Sequence, residues 1–236
     1  MARLRRAPRR KSRQKQGCLR TVLLFCLLAV ALFYTAITCA LTLLRWVDPP
    51  FTAVQIQRRV SSWFESAPYT KQYRFVSLIR ISPNLQHAVV AAEDARFYEH
   101  HGFDWNQIRL AAQEDLEDHR ERGASTITQQ LVRNLFLSTN RSVARKLLEL
   151  SIVPFTEAIL PKKRILELYL NVVEWGRGIF GAEAASRVYF DVPAQSLTRL
   201  QAAELASVLP SPLHRKPGRV TSYTKRIMLR MTQMNW

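Results

Sequence analysis

The feature that most constrains the fold is a run of 24 residues without a charge, from Thr21 to Leu44. A helix of about 20 apolar residues crosses the hydrocarbon core of a bilayer, so this run is long enough to span a membrane. Residues 1–20 carry nine Lys or Arg and no acid, and basic flanks of this kind stay on the cytoplasmic side. The sequence therefore predicts a basic cytoplasmic tail at 1–20, a single transmembrane helix at 21–44 and an exported C-terminal part.

A cleaved signal peptide is the alternative to a retained anchor. The apolar core of a signal peptide is about 7–15 residues long, which is shorter than this run. No clear small-residue cleavage site ends the run, although Thr38-Cys39-Ala40 is a weak one. We therefore expect the helix to be retained.

The net charge of +17 first suggests a nucleic-acid or an anionic-membrane partner. The nine basic residues of the tail account for about half of it, since 26 basic and 18 acidic residues follow and leave +8. Because the tail leads directly into a membrane span, we expect the membrane as a partner and no nucleic acid.

Residues 82–104 contain the first candidate for catalysis. Ser82 and Pro83 suit the N-cap and the first position of a helix, whose apolar turns end at Glu93 and Asp94. Two adjacent acids on a helix point about 100° apart and cannot share one role. A carboxylate among apolar neighbours has a raised pKa, as a general base near neutral pH requires. The alternative is an acidic pair on the surface of an amphipathic helix, and this stretch alone leaves both open.

A polar helix start follows at residues 123–134. Thr126 and Gln129 form a predicted capping box, and the free N–H groups of such a start can bind an anion. Helix capping without any ligand is the alternative.

A third segment combines several cations with one acid. Ser142 is predicted to open a helix that reaches Ile159, on which Arg145 and Glu149 share a face. Clustered cations beside a single carboxylate suit a diphosphate-binding site, and a structural ion pair is the alternative. Lys162 lies in the first turn of the next helix, where the helix dipole disfavours a cation, which indicates a functional charge.

These three segments match long spaced motifs. Residues 93–104 fit E-D-x-x-F-x-x-H-x-G-x-D, and residues 140–149 fit N-R-S-x-x-R-K-x-x-E. Residues 123–134 fit G-x-S-T-I-T-Q-Q-x-x-K-N, except that Arg133 stands where Lys is usual. The charge is kept, but Arg and Lys differ in contact geometry.

Residues 162–190 and 197–209 resemble the fourth and the last motif of the same set. In this order, the five motifs resemble those of the peptidoglycan glycosyltransferases. That family forms the glycosyltransferase module of class A penicillin-binding proteins and also occurs as separate monofunctional proteins. The resemblance covers about residues 84–217.

The resemblance implies a set of site residues. Glu93 would be the general base. Glu149 would be a second catalytic glutamate that either holds the cations or binds a divalent metal, Mg²⁺ or Mn²⁺, although no cofactor is required with certainty. The implied substrate-binding residues are Asp94, Phe97, His100, Gly102, Ser125, Thr126, Gln129, Gln130, Arg133, Asn134, Arg141, Arg145, Lys146 and Lys162.

The helical periodicity predicts an all-α protein, and the resemblance implies a lysozyme-like, two-lobed domain at 82–236 after an aromatic connector at 45–81. It implies a location in the bacterial inner membrane with a periplasmic catalytic domain. The implied reaction polymerises lipid II through β-1,4 bonds, with inversion and release of undecaprenyl diphosphate. The expected partners are lipid II, the growing glycan strand and proteins of cell-wall synthesis or division.

Two other functions remain open at this point. A lysozyme-like hydrolase or lytic transglycosylase would also use a helix-borne Glu, and a non-catalytic membrane scaffold could share the fold. Residues 222–225 match S-x-x-K, the nucleophile motif of penicillin-binding proteins, but no S-D-N or K-T-G follows. We therefore expect no transpeptidase domain.

Overall fold

A computed structural model describes residues 10–118 and 125–236, and most of these residues are helical. The helices are α1 (Arg10–Leu44), α2 (Ala53–Ser62), α3 (Pro83–Glu93), α4 (Trp105–Asp118), α5 (Ile127–Phe136), α6 (Val143–Ile159), α7 (Lys162–Val172), α8 (Ala182–Phe190), α9 (Arg199–Ala206) and α10 (Ser222–Gln233). The first nine residues of the predicted tail, and Gly123 and Ala124 of the second motif, lie outside the described residues.

The prediction of an all-α protein is confirmed except for one small sheet. Its strands are β1 (Gln72–Tyr73), β2 (Glu174–Gly176) and β3 (Ile179–Phe180), in the order β1-β3-β2. β1 and β3 are parallel, and β2 and β3 are antiparallel. Strands of two or three residues are too short to show the alternating pattern that reveals a strand in a sequence.

The predicted membrane helix is the C-terminal two thirds of α1. Residues Leu19–Leu44 have a mean hydropathy of 2.5, as expected of a helix that crosses a bilayer. The last turns of α1 pack against α6, where Leu41 is buried and the Tyr34 hydroxyl donates to Ser151 Oγ at 2.8 Å. The anchor and the C-terminal part are therefore in direct contact.

The remaining helices pack in two groups. Helices α3, α9 and α10 contact one another, and α5 packs against α2, α6 and α7. Side-chain N-caps set several helix starts, since Ser82, Thr126 and Ser142 each accept a hydrogen bond from a backbone N–H of the first turn. A cleft opens between the two groups, and the predicted site residues lie in and around it.

The connector at 45–81 takes part in this packing. Val54 of α2 is buried, and the Asn171 side chain of α7 bonds to both the N–H and the C=O of Val76. Trp46 and Trp63 are 71% and 69% exposed, as suits side chains at a membrane surface. The domain boundary at residue 82 stays a prediction.

Candidate active site

The cleft between the two helix groups has a volume of about 1140 Å³. Its walls include the end of α3, the first half of α4, α5 with the residues before it, and α10. The polar residues that line it are Glu93, Asp94, Asp104, Gln107, Ser125, Thr126, Gln130, Arg133, Arg141, Tyr223, Arg230 and Gln233.

Glu93 is the last residue of α3 and is partly exposed to the cleft. Its Oε2 accepts a hydrogen bond from Gln130 Nε2 at 2.8 Å. Burial raises the pKa of Glu93 above its ordinary value, although the Gln130 bond and the positive charge of Arg133 act in the opposite direction. The environment is thus the one that a general base near neutral pH requires.

Asp94 has a different position from the one that the sequence predicts. The two acids are not successive residues of one helix, because α3 ends at Glu93. Asp94 Oδ1 bonds to His100 Nε2 at 2.8 Å, and Oδ2 accepts from the Ile127 N–H at 3.0 Å. Because the Gly102 N–H donates to His100 Nδ1 at 3.1 Å, the ring proton lies on Nε2 and points at Asp94. Asp94 therefore ties the end of α3 to the start of α5.

Glu149 is only 1% exposed, and its two oxygens each meet a cation. Arg145 Nη1 lies 2.5 Å from Oε2, and Lys146 Nζ lies 2.5 Å from Oε1. Lys146 also donates to Ser125 Oγ at 3.2 Å and to Gln129 Oε1 at 2.9 Å. The buried carboxylate thus holds two cations beside the start of α5.

This donor set does not fit a divalent metal at Glu149. Mg²⁺ is bound by oxygen ligands in a near-octahedral shell, whereas both Glu149 oxygens already accept from Arg145 and Lys146. Within residues 10–118 and 125–236, no three His, Cys, Asp or Glu residues lie together in a group that could hold a metal ion. Of the two roles that the sequence left open for Glu149, the geometry favours holding cations.

Comparison with known proteins identifies the family of the chain. A family model described as "Transglycosylase" matches residues 59–235. The chain belongs to the transglycosylase family. It is 46% identical over 194 residues to a "Biosynthetic peptidoglycan transglycosylase" of Pseudomonas fluorescens, covering 82% of this chain and 81% of the relative. Proteins of the same name from Pseudomonas aeruginosa and Pasteurella multocida are 42% and 43% identical, covering 86% and 83% of this chain and 88% and 80% of the relatives.

The comparison confirms the family that the motifs predict. The matched region begins at residue 59, within α2, and so includes most of the connector. The match is to a transglycosylase domain, as expected for an enzyme without a transpeptidase domain in these residues.

Four predicted site residues of the transglycosylase domain lie behind the cleft wall. Phe97 is fully buried, with Lys162 Nζ 4.5 Å above its ring. Lys162 is paired with Glu157 at 2.8 Å. Gly102 has a positive φ of 89°, and its carbonyl accepts from the Thr126 hydroxyl at 2.8 Å. With His100, these residues hold the loop after α3, so any effect on a substrate would pass through Asp94 or α5.

Asn134 is also buried, and its side chain donates to the Gln130 carbonyl oxygen at 2.7 Å. Asn134 is therefore bonded to the backbone of α5 itself. In contrast, Arg133 and Arg141 line the cleft itself. The structure thus places two of the predicted cations in the cleft and two more at Glu149.

Sequence reasoning missed three residues of the site. Tyr169 is fully buried, and its hydroxyl donates to Gln130 Oε1 at 2.8 Å. Tyr223 and Arg230 of α10 form part of the cleft wall. Tyr169 falls in a motif whose positions read as packing residues, and α10 reads only as a basic amphipathic helix, so neither stretch carried a signal for the site.

The Asp94 contacts predict a specific loss of stability in Asp94→Asn. Asn has one acceptor oxygen where Asp94 uses two, and His100 Nε2 cannot accept while Nδ1 accepts from Gly102. One donor–donor contact therefore remains, and we expect a loss of about 1–3 kcal/mol in the free energy of unfolding. Denaturant unfolding of the purified protein in detergent measures it.

Asp104→Asn is the matched control. Asp104 is also buried, and its Oδ1 caps α4 by accepting from the Gln107 N–H at 3.0 Å. Its Oδ2 has no hydrogen-bond partner among the described residues. Asn caps a helix about as well as Asp, and the ion pair that is lost, with the partly exposed Arg96 at 3.5 Å from Oδ1, is weak, so this change should cost little. Equal losses in the two variants would contradict the role given to Asp94.

Proposed function

We propose that this protein polymerises lipid II into glycan strands, forming β-1,4 bonds with inversion and releasing undecaprenyl diphosphate. The observation that carries the proposal is the pairing of two unlike glutamates at the start of α5. Glu93 has a raised pKa, lines the cleft and accepts a hydrogen bond from Gln130. Glu149 is buried and is paired with two cations, one of which also donates to Gln129. One glutamate suits a base and the other suits a diphosphate site.

Glu93 would act on the acceptor. Its ionised carboxylate takes the proton of the acceptor sugar 4-hydroxyl as that oxygen forms a bond to C1 of the donor. The bond from C1 to the diphosphate oxygen breaks, and its electron pair leaves with the diphosphate. Because the attack comes from the face opposite the leaving group, an α-linked donor gives a β-linked product.

The cations would act on the donor. Negative charge grows on the diphosphate as it leaves, and Arg145 and Lys146, with Arg133 and Arg141 of the cleft wall, would stabilise it. Glu149 would be the residue that fixes two of these cations before substrate arrives. A glycan-cleaving enzyme has no diphosphate to neutralise, so the cation cluster favours the polymerase over a hydrolase.

The contact between α6 and the anchor supports a lipid-linked substrate. Glu149 lies two residues before Ser151, which bonds to Tyr34 of α1. On the same helix, Val143 and Leu147 are 78% and 62% exposed. The cation cluster therefore lies on the helix that contacts the membrane helix, beside which the prenyl chain of a lipid substrate would remain.

We further propose that the C-terminal part is periplasmic and that the protein works with others of cell-wall synthesis or division. The orientation follows from the nine basic residues before the apolar run. A reporter that is active only in the periplasm should be active when fused after Trp236. Activity of a cytoplasm-specific reporter at the same site would overturn this orientation.

Glu93→Gln should lose about 10²–10⁴-fold in turnover of lipid II, as expected when a general base is removed. Because the pKa of Glu93 is raised, the rate of the parent should fall as the pH falls through that pKa, when the base becomes protonated. This acidic limb should be absent from the residual activity of the variant. Substrate affinity should persist, because Gln is nearly isosteric with Glu.

Glu149→Gln is the informative comparison for Glu93→Gln. It leaves Arg145 and Lys146 without their carboxylate, so it should weaken donor binding as well as the rate. A Glu93→Gln protein with near-parental turnover and an unchanged acidic limb would show that Glu93 is not the base. Release of cleaved glycan from polymer, with no polymerisation of lipid II, would instead indicate a hydrolase.

Arg145→Ala should lower the polymerisation rate by about a hundredfold or more, because a charge-assisted contact to the leaving diphosphate is removed. Arg187→Ala is the matched control: Arg187 forms the same i,i+4 type of pair, with Glu183 at 3.0 Å on α8, and does not line the cleft. Rates are compared for samples whose thermal unfolding shows a folded protein. If both variants polymerise lipid II at the parental rate, Arg145 has no part in the reaction.

A further inference from the structure

A chain of two hydrogen bonds connects the interior of the protein to Glu93. The Tyr169 hydroxyl of α7 donates to Gln130 Oε1 at 2.8 Å, and Gln130 Nε2 donates to Glu93 Oε2 at 2.8 Å. Tyr169 is fully buried and Gln130 is 9% exposed, whereas Glu93 is partly exposed to the cleft. Nothing in the proposed reaction so far uses Tyr169.

The direction of this chain is fixed by the chemistry of its two ends. An ionised carboxylate can only accept, so the NH₂ group of Gln130 must face Glu93. The carbonyl of Gln130 then faces Tyr169 and needs a donor, because a buried amide oxygen without one costs free energy. Burial raises the pKa of Tyr169 well above its ordinary value, and the negative charge of Glu93 adds to this effect. The phenol therefore keeps its proton and remains a donor at every pH at which the protein would work.

We propose that Tyr169 is a positioning residue, whose buried hydroxyl fixes the side-chain amide of Gln130 so that the amide N–H faces Glu93. Without this hydroxyl, the interior end of the Gln130 side chain loses the donor that favours one orientation of the amide over the other. The flipped amide would place its carbonyl oxygen against Glu93 and favour the protonated acid. The inference rests on the proposed role of Glu93 as the base.

Other charged and titratable groups also face Glu93, and none of them takes the place of this contact. They are Asp94 at the end of α3, Arg133 of α5, Arg215 in the loop before α10, Tyr169 of α7 and Tyr223 of α10. Arg133 and Arg215 lower the pKa of Glu93 through charge alone, and Asp94 raises it. The hydrogen bond of Gln130 is the second largest influence after burial, and it is the one whose direction depends on Tyr169.

The test is the pH dependence of lipid II polymerisation by the full-length Tyr169→Phe protein. Loss of the donor should raise the pKa of Glu93, so the acidic limb of kcat/KM should move to higher pH by about one unit. At a pH below the pKa of Glu93, a shift of one unit lowers the rate about tenfold. At a pH above that pKa, the rate should be unchanged. A purely structural role would instead lower the rate equally at every pH.

Tyr189→Phe is the matched control, since its half-buried hydroxyl donates to the Trp175 carbonyl at 3.1 Å, away from the cleft. It should leave the limb in place. In a Gln130→Ala background, Tyr169→Phe should cause no further shift, because the group that it positions is gone. Replacing Tyr169 by 3-fluorotyrosine keeps the ring in place and makes the hydroxyl a stronger donor. A stronger bond to the Gln130 carbonyl polarises the amide and strengthens its N–H bond to Glu93, so the limb should move the opposite way even if Tyr169→Phe folds poorly.

The outcomes separate this inference from the proposed function. If the parent polymerises lipid II and its acidic limb depends on Glu93, but Tyr169→Phe and the fluorotyrosine protein leave that limb in place, the positioning role is wrong and the proposed function stands. If the limb persists in Glu93→Gln, the base is misassigned and the positioning role of Tyr169 is wrong with it. If the parent does not polymerise lipid II at all, the proposed function itself fails.

Discussion

The start of α5 is the element on which the site depends. Asp94 accepts from the Ile127 N–H, and Thr126 both accepts from the Gln129 N–H and donates to the Gly102 carbonyl. These contacts fix where the helix begins and how it is rotated. Because successive helical residues point about 100° apart, Gln129 and Gln130 then face different neighbours. Gln129 meets Lys146 of the cation cluster, and Gln130 meets Glu93.

The two glutamates lie beside the same short helix, α5, but in opposite electrostatic environments. Among residues 10–118 and 125–236, no cation is paired with Glu93, so burial dominates and its pKa rises. Glu149 is more deeply buried, but two cations lie within 2.5 Å of its oxygens. A buried carboxylate with both oxygens paired is a rigid support for the cations that flank it. The proposed base and the proposed cation holder therefore differ in their neighbours and not in residue type.

The sequence was sufficient for the features that depend on neighbouring residues. The membrane helix, the helix starts at Ser82, Thr126 and Ser142, and the i,i+4 pair of Arg145 and Glu149 all follow from local spacing. The family was predicted from the resemblance of long, ordered motifs to those of known proteins. These features need no knowledge of which helices pack together.

The contacts that sequence reasoning missed join residues far apart in the chain. The Ile127 N–H lies 33 positions from Asp94, and Gln130 lies 39 positions from Tyr169. The helical pattern does not reveal that the hydroxyl of Tyr169 forms a hydrogen bond, because the apolar ring alone explains a tyrosine at a packing position. Asp94 was placed on α3 for a related reason: the helix ends at Glu93, and the side-chain partners that Asp94 finds beyond that point are set by tertiary structure. Both misses lie at the proposed site, where local preference yields to tertiary contacts.

Helix α6 relates the membrane anchor to the proposed chemistry. Glu149 and Ser151 are two residues apart, so their side chains leave the helix about 200° from each other. Ser151 meets Tyr34 of the anchor, and Glu149 holds Arg145 and Lys146 on the other side. The cation cluster is thus separated from the membrane helix by about one helix diameter, roughly 10 Å. The proposed donor, a diphosphate tied to a prenyl chain, would reach that cluster while its chain stays in the bilayer. In the proposed reaction, the helix that holds the cations for the leaving group would therefore also hold the site beside the membrane helix.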